Sequence, residues 1–115
     1  MSLYYFLDQE DEFQMKNSLT RALLERCEDV SEVMNSLSHP VRLKILCHLM
    51  EEEKSVNSLT EFCEISQSSM SQFLGRMKSE GVLESRREGT SIYYRVADLK
   101  MIKLLRAIKE IYCNP

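Results

Sequence analysis

The chain of 115 residues has no tryptophan, only three glycines and only two prolines. It also lacks internal repeats, low-complexity tracts and any long linker. Without a linker, an organisation in two domains has no support. With 43% hydrophobic residues, the composition predicts one compact, mainly helical domain over residues 1–115.

The amino terminus does not resemble a targeting or anchoring segment. Its first seven residues have no basic region, and their apolar stretch is far shorter than the roughly 20 residues that cross a bilayer. We therefore expect a cytoplasmic protein with no membrane partner. In that reducing compartment, the four cysteines suit reactive or metal-binding roles better than structural disulfides.

Patterns typical of catalysis are missing as well. The sequence has no paired acids, no nucleophile beside a base and no glycine-rich loop of the kind that holds phosphates. An enzyme is therefore not expected, and no cofactor is predicted.

Apolar residues recur at helical spacing along most of the chain. Asn57, Ser66 and Asp98 are suited to cap helices, Pro40 suits a first helical turn, and Gly81 suits the left-handed residue that ends a helix. The predicted helices cover about residues 8–28, 30–37, 40–51, 58–63, 67–80 and 98–113. Because so small a chain buries its apolar faces poorly alone, we expect a homodimer that pairs through the two terminal helices, 8–28 and 98–113.

The segment from Ile65 to Met77 is the most informative part of the chain. If Ser66 opens a helix there, the 3.6-residue period divides its side chains between two faces. The apolar face holds Met70, Phe73, Leu74 and Met77, and the opposite face holds Ser68, Ser71, Gln72 and Gly75. Short hydrogen-bonding side chains with few acids are what a major groove admits. The pattern predicts a DNA recognition helix over residues 67–80.

The periodicity changes from helix to strand after Gly81. Residues 82–88 and 91–96 contain valine, isoleucine, tyrosine and alternating charges, and Gly89 lies between them in the tight turn. A helix-turn-helix followed by a β-hairpin is a winged helix. The predicted fold class is therefore mainly α with a small β-hairpin, the wing, at residues 82–96.

The net charge of −3 hides an uneven distribution. Residues 1–38 carry −5, whereas residues 65–97 and 98–115 each carry +2. A locally positive surface can neutralise phosphates while the acidic part keeps the protein soluble. The charge pattern is therefore compatible with a moderate, salt-sensitive affinity for DNA.

Candidate contacts to base edges and phosphates follow from side-chain chemistry. They are Gln67, Ser68, Ser69, Ser71, Gln72 and Arg76 on the recognition helix, and Arg86 and Arg87 in the wing. Gln72 is the strongest candidate, because glutamine pairs bidentately with adenine. A protein-binding adaptor is the alternative, and it would expose a large apolar patch and show no salt-dependent affinity for DNA.

Several separated motifs resemble those of the ArsR/SmtB family of bacterial winged-helix repressors. They are Leu-Ser-His-Pro-Val-Arg-Leu-Lys-Ile-Leu at 37–46, Ser-Gln-Ser-Ser-Met-Ser-Gln-Phe-Leu at 66–74, Glu-Gly-Val-Leu at 80–83 and Ile-Tyr-Tyr-Arg-Val at 92–96. The resemblance implies a homodimer that binds a palindromic, double-stranded operator and leaves it when an inducer acts. Glu64 departs from the family, whose turn usually carries glycine, so we expect a slightly strained or altered turn there.

The metal sites usual in this family do not match this sequence. The helix before the recognition helix holds one cysteine, Cys63, where a Cys-x-Cys pair is common, and the last helix has no histidine. No metal ligands are therefore assigned. A metal sensor with a non-standard site stays open as an alternative.

Cys47 and Cys113 resemble the cysteine pair of the BigR, SqrR and HlyU group within that family. The resemblance implies that persulfides or oxidants bridge the two thiols and that the bridged protein binds its operator less well. We therefore predict a repressor released by oxidation of Cys47 and Cys113, with reactive sulfur species as the inducer. A constitutive repressor and one that responds to oxidants in general stay open as alternatives.

Basic residues lie near both sensing cysteines. Lys44 is one turn before Cys47, which predicts a lowered pKa for that thiol, and Lys109 and Arg106 precede Cys113 and favour its thiolate. The carboxyl end of the helix opposes a thiolate at Cys113, so which cysteine attacks first stays open. Two other cysteines, Cys27 and Cys63, are predicted to be small buried apolar residues.

Overall fold

The computed structural model describes residues 18–114. This part of the chain divides into two compact units, with the boundary between Leu37 and Ser38. Within residues 18–114, no helix is both long and apolar enough to cross a membrane.

The first unit contains two helices, α1 (Ser18–Glu25) and α2 (Cys27–Ser36). The predicted continuous helix over 8–28 is therefore wrong at its carboxyl end, and residues 8–17 lie outside the described part. Arg26 interrupts the helix with φ −106° and ψ 11°, and its N–H donates to the carbonyl of Leu23, only three residues back. Glu28 and Asp29 then occupy the first turn of α2, where acidic side chains stabilise a helix start.

The second unit contains four helices and a small sheet. The helices are α3 (Pro40–Leu49), α4 (Val56–Cys63), α5 (Gln67–Ser79) and α6 (Leu99–Cys113). The strands β1 (Lys54–Ser55), β2 (Leu83–Glu88) and β3 (Ser91–Val96) form an antiparallel sheet in the order β1-β3-β2. The hairpin of β2 and β3 turns at Gly89, whose φ of +63° suits glycine.

Side chains cap the helices of the second unit. His39 caps α3, which begins with Pro40, and its Nδ1 accepts from Val41 N at 3.1 Å. Ser66 caps α5, and its Oγ accepts from Ser69 N at 3.1 Å. The expected Asn57 cap is wrong. Ser55 Oγ caps α4 by accepting from Ser58 N at 3.1 Å, so this helix begins two residues earlier than predicted.

The turn between α4 and α5 is strained at one residue. Glu64 has φ 54° and ψ 43°, a left-handed conformation, so of the two alternatives expected there the strained turn is the one found. This conformation costs a residue with a side chain about 1 kcal/mol. At the other end of α5, Gly81 takes φ +79° without that cost.

The core of the second unit lies under α5. Met70, Leu74 and Met77 are buried there, as predicted, together with Ile45, Leu46, Leu49, Leu59 and Leu83. Phe73 is the exception, because it is only half-buried and its ring lies 5.0 Å from the His39 ring at a tilt of 56°. The order α4, turn, α5 and hairpin is the winged helix-turn-helix arrangement that the sequence predicts.

Candidate nucleic-acid interface and thiol pair

The exposed face of α5 consists of small polar residues. Gln67, Ser68, Ser71 and Gln72 are exposed there. Ser69 is half-buried, and its Oγ accepts from Ser66 Oγ at 2.9 Å, so this hydroxyl belongs to the helix cap. Among the six predicted contacts on this helix, Ser69 is therefore the least available for a ligand.

The carboxyl end of α5 is attached to its neighbours by two side-chain contacts. Arg42 pairs with Glu80 at 2.5 Å, and Lys78 Nζ donates to Ser85 Oγ at 2.7 Å. The hydrogen bond from Arg42 and the nearby charge of Arg76 hold the pKa of Glu80 below its usual range. Arg76 is exposed and forms no ion pair with the rest of residues 18–114.

The two predicted wing arginines lie on opposite faces of β2. Arg86 pairs with Glu53 and with Glu88 at 2.7 Å, and its guanidinium lies 4.7 Å from the centre of the Tyr93 ring. Arg87 is exposed and has no ion pair within the described part of the chain. The structure therefore leaves Arg87 open to an external anion, whereas Arg86 is already engaged.

Cys47 and Cys113 are exposed free thiols on α3 and α6. Partial burial raises the pKa of Cys47, and the negative charge of an ionised Cys113 raises it further. The two thiols thus lie within electrostatic range of one another. The expected lowering of the Cys47 pKa by Lys44 is wrong, because the charge of Lys44 acts on Cys63 instead.

The other two cysteines differ from one another. Cys63 is 3% exposed, as predicted for a buried residue, and burial raises the pKa of its thiol. Cys27 is exposed and its Sγ lies 3.4 Å from the carbonyl oxygen of Leu23, so the prediction of burial is wrong. The apolar stripe of α1 is itself exposed, so a position that continues this stripe does not bury Cys27.

Metal-ligating side chains are scattered in the described residues. Between residues 18 and 114, no group of three or more histidine, cysteine, aspartate or glutamate residues could hold a metal ion.

Three consecutive acids, Glu51, Glu52 and Glu53, form contacts that the sequence analysis did not predict. Glu51 pairs with Arg106 at 3.1 Å, Glu52 with Lys54 at 2.7 Å, and Glu53 with Arg86. Two of these pairs span 55 and 33 residues along the chain. The run of like charges was visible in the sequence, but no local pattern indicates partners so distant.

The fold and the polar face of α5 define a winged helix-turn-helix DNA-binding protein. A family model of the bacterial regulatory proteins of the arsR family matches residues 39–85. The biofilm growth-associated repressor of Xylella fastidiosa (strain Temecula1 / ATCC 700964) is 38% identical over 97 residues, which cover 84% of this chain and 85% of the relative. The chain belongs to the ArsR family, which confirms the resemblance drawn from its motifs.

Solved structures agree with this assignment. The crystal structure of the transcriptional repressor BigR from Xylella fastidiosa matches with a TM-score of 0.78 and 35% identity, covering 84% of this chain and 98% of that chain. A homodimeric winged helix-turn-helix DNA-binding domain from Mycobacterium bovis matches with a TM-score of 0.64 and 32% identity, covering 80% and 82%. The predicted fold class is therefore confirmed.

Proposed function

We propose that this protein is a dimeric transcriptional repressor that leaves its operator when Cys47 and Cys113 are bridged by reactive sulfur species. The observation that carries the proposal is the presence of two exposed free thiols, Cys47 on α3 and Cys113 on α6. Burial raises the pKa of Cys47 and the charge of Cys113 raises it further, which is consistent with thiols that lie near one another. The similarity to the repressor BigR supports the same conclusion. A cytoplasmic location, where both thiols stay reduced until the inducer appears, is part of the proposal.

Recognition of DNA is assigned to α5 and the wing. The exposed Gln67 and Gln72 carry amides that can pair with base edges, and Ser68 and Ser71 offer short hydroxyls. Arg76 and Arg87 would neutralise phosphates, because neither forms an ion pair in the described part of the chain. Arg86 contributes only if DNA displaces Glu53 and Glu88.

The DNA assignment is tested with a duplex selected from a random pool by the reduced protein. Gln72→Ala should weaken binding to that duplex by about 1–3 kcal/mol and relax the choice of base at one position. Arg87→Ala should weaken binding to all duplexes and lower the slope of log affinity against log salt by about one. Lys103→Ala, on the exposed side of α6, is the control and should change neither.

Dimerisation is assigned to the apolar side chains that α1 and α6 expose. Leu19, Leu23 and Leu24 on α1 are 71%, 56% and 62% exposed, and Ile111 and Tyr112 on α6 are 69% and 81% exposed. Apolar side chains left exposed on a helix mark a protein interface. A second copy of the chain would cover those of each helix, and a dimer presents two α5 helices to the two halves of a palindrome.

The thiol chemistry can be written with balanced atoms. One cysteine thiolate takes the terminal sulfur of a persulfide RSSH and releases RSH. The resulting cysteine persulfide attacks the carbon-bound sulfur of a second RSSH, which expels H2S and leaves a mixed trisulfide. The second cysteine then displaces RSH to give a bridge of three sulfurs. Peroxide instead oxidises one thiol to a sulfenic acid, and the second thiol displaces water to give a disulfide.

Non-reducing peptide mass spectrometry tests this chemistry directly. Reduced protein is treated with glutathione persulfide or, in parallel, with hydrogen peroxide. We expect a Cys47–Cys113 crosslink that carries extra sulfur mass with persulfide, and we expect Cys27→Ser to form it equally well. A plain disulfide with both reagents would indicate a general oxidant sensor. No crosslink with either reagent would contradict the thiol mechanism.

The free energy needed for release is small. Each tenfold loss of operator affinity corresponds to about 1.4 kcal/mol. Because both halves of a palindrome must be contacted together, a change in the separation of the two α5 helices is penalised at both half-sites. A bridge between α3 and α6 would therefore need to shift the dimer only slightly.

A further inference from the structure

Three glutamates form the loop that joins α3 to β1, and each carboxylate binds a basic side chain in a different place. Glu51 contacts Arg106 on α6, Glu52 contacts its near neighbour Lys54, and Glu53 contacts Arg86 on β2. We refer to Glu51, Glu52 and Glu53 as the acidic loop. Within residues 18–114, this loop pairs with α6 through Glu51 and with the wing through Glu53, which is only two residues further along the chain.

Along the chain, the Glu51–Arg106 pair lies within about two helical turns of each proposed sensing thiol. Glu51 follows Cys47 by four residues, and Arg106 precedes Cys113 by seven, about two helical turns. The thiols and the Glu51–Arg106 pair therefore join the same two parts of the fold, the end of α3 and α6. If a bridge between Cys47 and Cys113 moved α6 relative to α3, Arg106 would move relative to Glu51.

At its other end, the acidic loop holds the wing by an oriented contact. Arg86 Nε lies 3.1 Å and 2.9 Å from the two carboxylate oxygens of Glu53, and Nη2 also donates to Glu53. The other terminal nitrogen, Nη1, donates to Glu88 at 2.7 Å, and the guanidinium lies over the ring of Tyr93. A paired arginine fork of this kind sets direction as well as distance.

The strand geometry connects this contact to the proposed phosphate contact. Arg86 and Arg87 are neighbours on β2 and project to opposite faces. Leu83, Ser85 and Arg87 share the face on which Ser85 contacts Lys78 of α5. The contact that holds Arg86 on one face of β2 therefore also fixes the direction in which the Arg87 side chain projects from the opposite face.

We propose that Glu53 is a positioning residue that sets the wing for DNA and that the acidic loop transmits the state of α6 to it. Glu51 senses the position of Arg106, and Glu53 sets the position of Arg86. This inference rests on the proposed function, because it states how a Cys47–Cys113 bridge reaches the DNA-binding surface.

The contribution of these ion pairs to stability does not explain their arrangement. The side chains of Arg86 and Glu53 are 49% and 35% exposed, and exposed ion pairs add little to the free energy of unfolding. Their common property is the connection of one short loop to two distant elements. A role in orientation therefore predicts altered coupling without a marked loss of stability when a glutamate becomes glutamine.

The first arm of the test uses reduced protein and needs neither the thiol chemistry nor DNA. Hydrogen–deuterium exchange is followed by mass spectrometry in peptides that cover β2 and β3. We expect Glu51→Gln and Arg106→Gln to speed exchange in the wing at least twofold, although the ion pair of these two residues includes no residue of β2 or β3. The controls Glu61→Gln and Lys103→Gln remove the same charges from exposed positions on α4 and α6 and should leave the exchange unchanged.

The second arm uses the crosslinked protein and the selected duplex. We expect Glu53→Gln to form the Cys47–Cys113 crosslink at the normal rate. When reduced, this variant should bind DNA up to about threefold less tightly than the unchanged protein, because Arg86 no longer holds Arg87 in position. Crosslinking should then lower its affinity less than threefold, against tenfold or more in the unchanged protein. Glu84→Gln, which breaks the Glu84–Arg95 pair on the same hairpin, should retain the full response.

A double-mutant cycle distinguishes positioning from a general structural effect. If Glu53 acts through Arg86, Arg86→Gln should reduce the response to crosslinking as Glu53→Gln does, and combining the two should add nothing further. Additive losses would overturn the assignment of Glu53 as a positioning residue for Arg86.

The two proposals fail in different ways. An unchanged protein that forms no crosslink would contradict the proposed function, and the exchange arm would still decide whether the acidic loop couples α6 to the wing. If the Glu51→Gln and Glu53→Gln variants form the crosslink and dissociate from DNA normally, the proposed role of the acidic loop is contradicted and the proposed function is not. The role of the acidic loop is also contradicted if Glu51→Gln and Arg106→Gln leave the rate of hydrogen–deuterium exchange in β2 and β3 unchanged.

Discussion

At the scale of single residues, Glu64 shows a conflict between sequence and backbone. Its φ of 54° lies in the left-handed region, where a Cβ crowds the following carbonyl. Glu64 is exposed, so packing around its side chain does not offset this cost. The turn between α4 and α5 thus carries strain that a glycine would release.

We expect Glu64→Gly to raise the free energy of unfolding by up to about 1 kcal/mol, because the relief of strain exceeds the added flexibility of the unfolded chain. Urea unfolding followed by circular dichroism measures the change. The matched variant Glu61→Gly, within α4, should lower the free energy of unfolding by about 1 kcal/mol. Equal destabilisation by both variants would show that the turn is not strained.

The thiol of Cys47 provides a second prediction at this scale. Because the charge of Cys113 raises the pKa of Cys47, Cys113→Ser should lower that pKa and speed alkylation of Cys47 by iodoacetamide near pH 8.5. The rate follows the thiolate fraction and is measured by peptide mass spectrometry. Cys27→Ser is the control and should leave the Cys47 rate unchanged. If Cys113→Ser had no effect either, the two thiols would not lie close enough to interact.

At the scale of elements, His48 connects α3 to α4. Its Nε2 lies 3.0 Å from Ser58 Oγ, and its ring stacks on Phe62 at 4.0 Å. Partial burial lowers the pKa of His48, the charge of Lys54 lowers it further, and Glu52 opposes the shift. The neutral imidazole is therefore the form that suits the folded protein.

Stability should consequently fall as the pH falls through about 6.5, the value typical of histidine in an unfolded chain. In that window the unfolded chain binds more protons than the folded one, so the free energy of unfolding rises with pH. Urea unfolding between pH 5.0 and 7.5 measures this slope. His48→Gln should flatten it, and because His39 is retained in both proteins, the difference isolates His48. An unchanged slope would assign the effect to other groups.

The helices also differ in how well local patterns predict them. Ser66 and Asp98 cap α5 and α6 as predicted, because a cap needs only its own next few residues. Ser55 displaces Asn57 as the cap of α4, since pairing of Lys54 and Ser55 with β3 fixes where the strand ends. The break at Arg26 has no glycine or proline to signal it.

At the scale of the whole molecule, the charge is arranged so that an acidic chain can approach DNA. The net charge is −3, but the exposed surface of α5 carries no acid between Gln67 and Ser79. Of the acids nearby, Glu80 is paired with Arg42. The charged side chains of α5, Arg76 and Lys78, are therefore opposite in sign to the net charge of the chain.

The proposed dimer interface can be tested by placing a charge on α1. We expect Leu23→Lys to raise the dimer dissociation constant more than tenfold, because it removes apolar contact area and places a charge on the exposed face of α1. Sedimentation velocity over a range of concentrations measures the constant. Glu25→Lys, also exposed on α1, is the control for a basic substitution and should change it little. An unchanged constant in Leu23→Lys would place the interface elsewhere.

The class of fold, helix α5 and the hairpin of β2 and β3 could be predicted from the sequence alone. These features depend on local signals: the 3.6-residue period around Met70 and Leu74, the cap at Ser66, and the glycine turns at Gly81 and Gly89. The motifs also determined the family. Each signal acts over a few residues, so it is visible without knowing which distant parts of the chain meet.

Which charged and reactive side chains lie near one another could not be predicted without the tertiary structure. Arg86 and Arg87 are equivalent in the sequence, yet one is held by Glu53 and the other is open to solvent. Lys44 precedes Cys47 by one turn, yet its charge acts on Cys63. Electrostatic interaction depends on distance through space and on burial, and both are set by the packing of elements far apart in the chain.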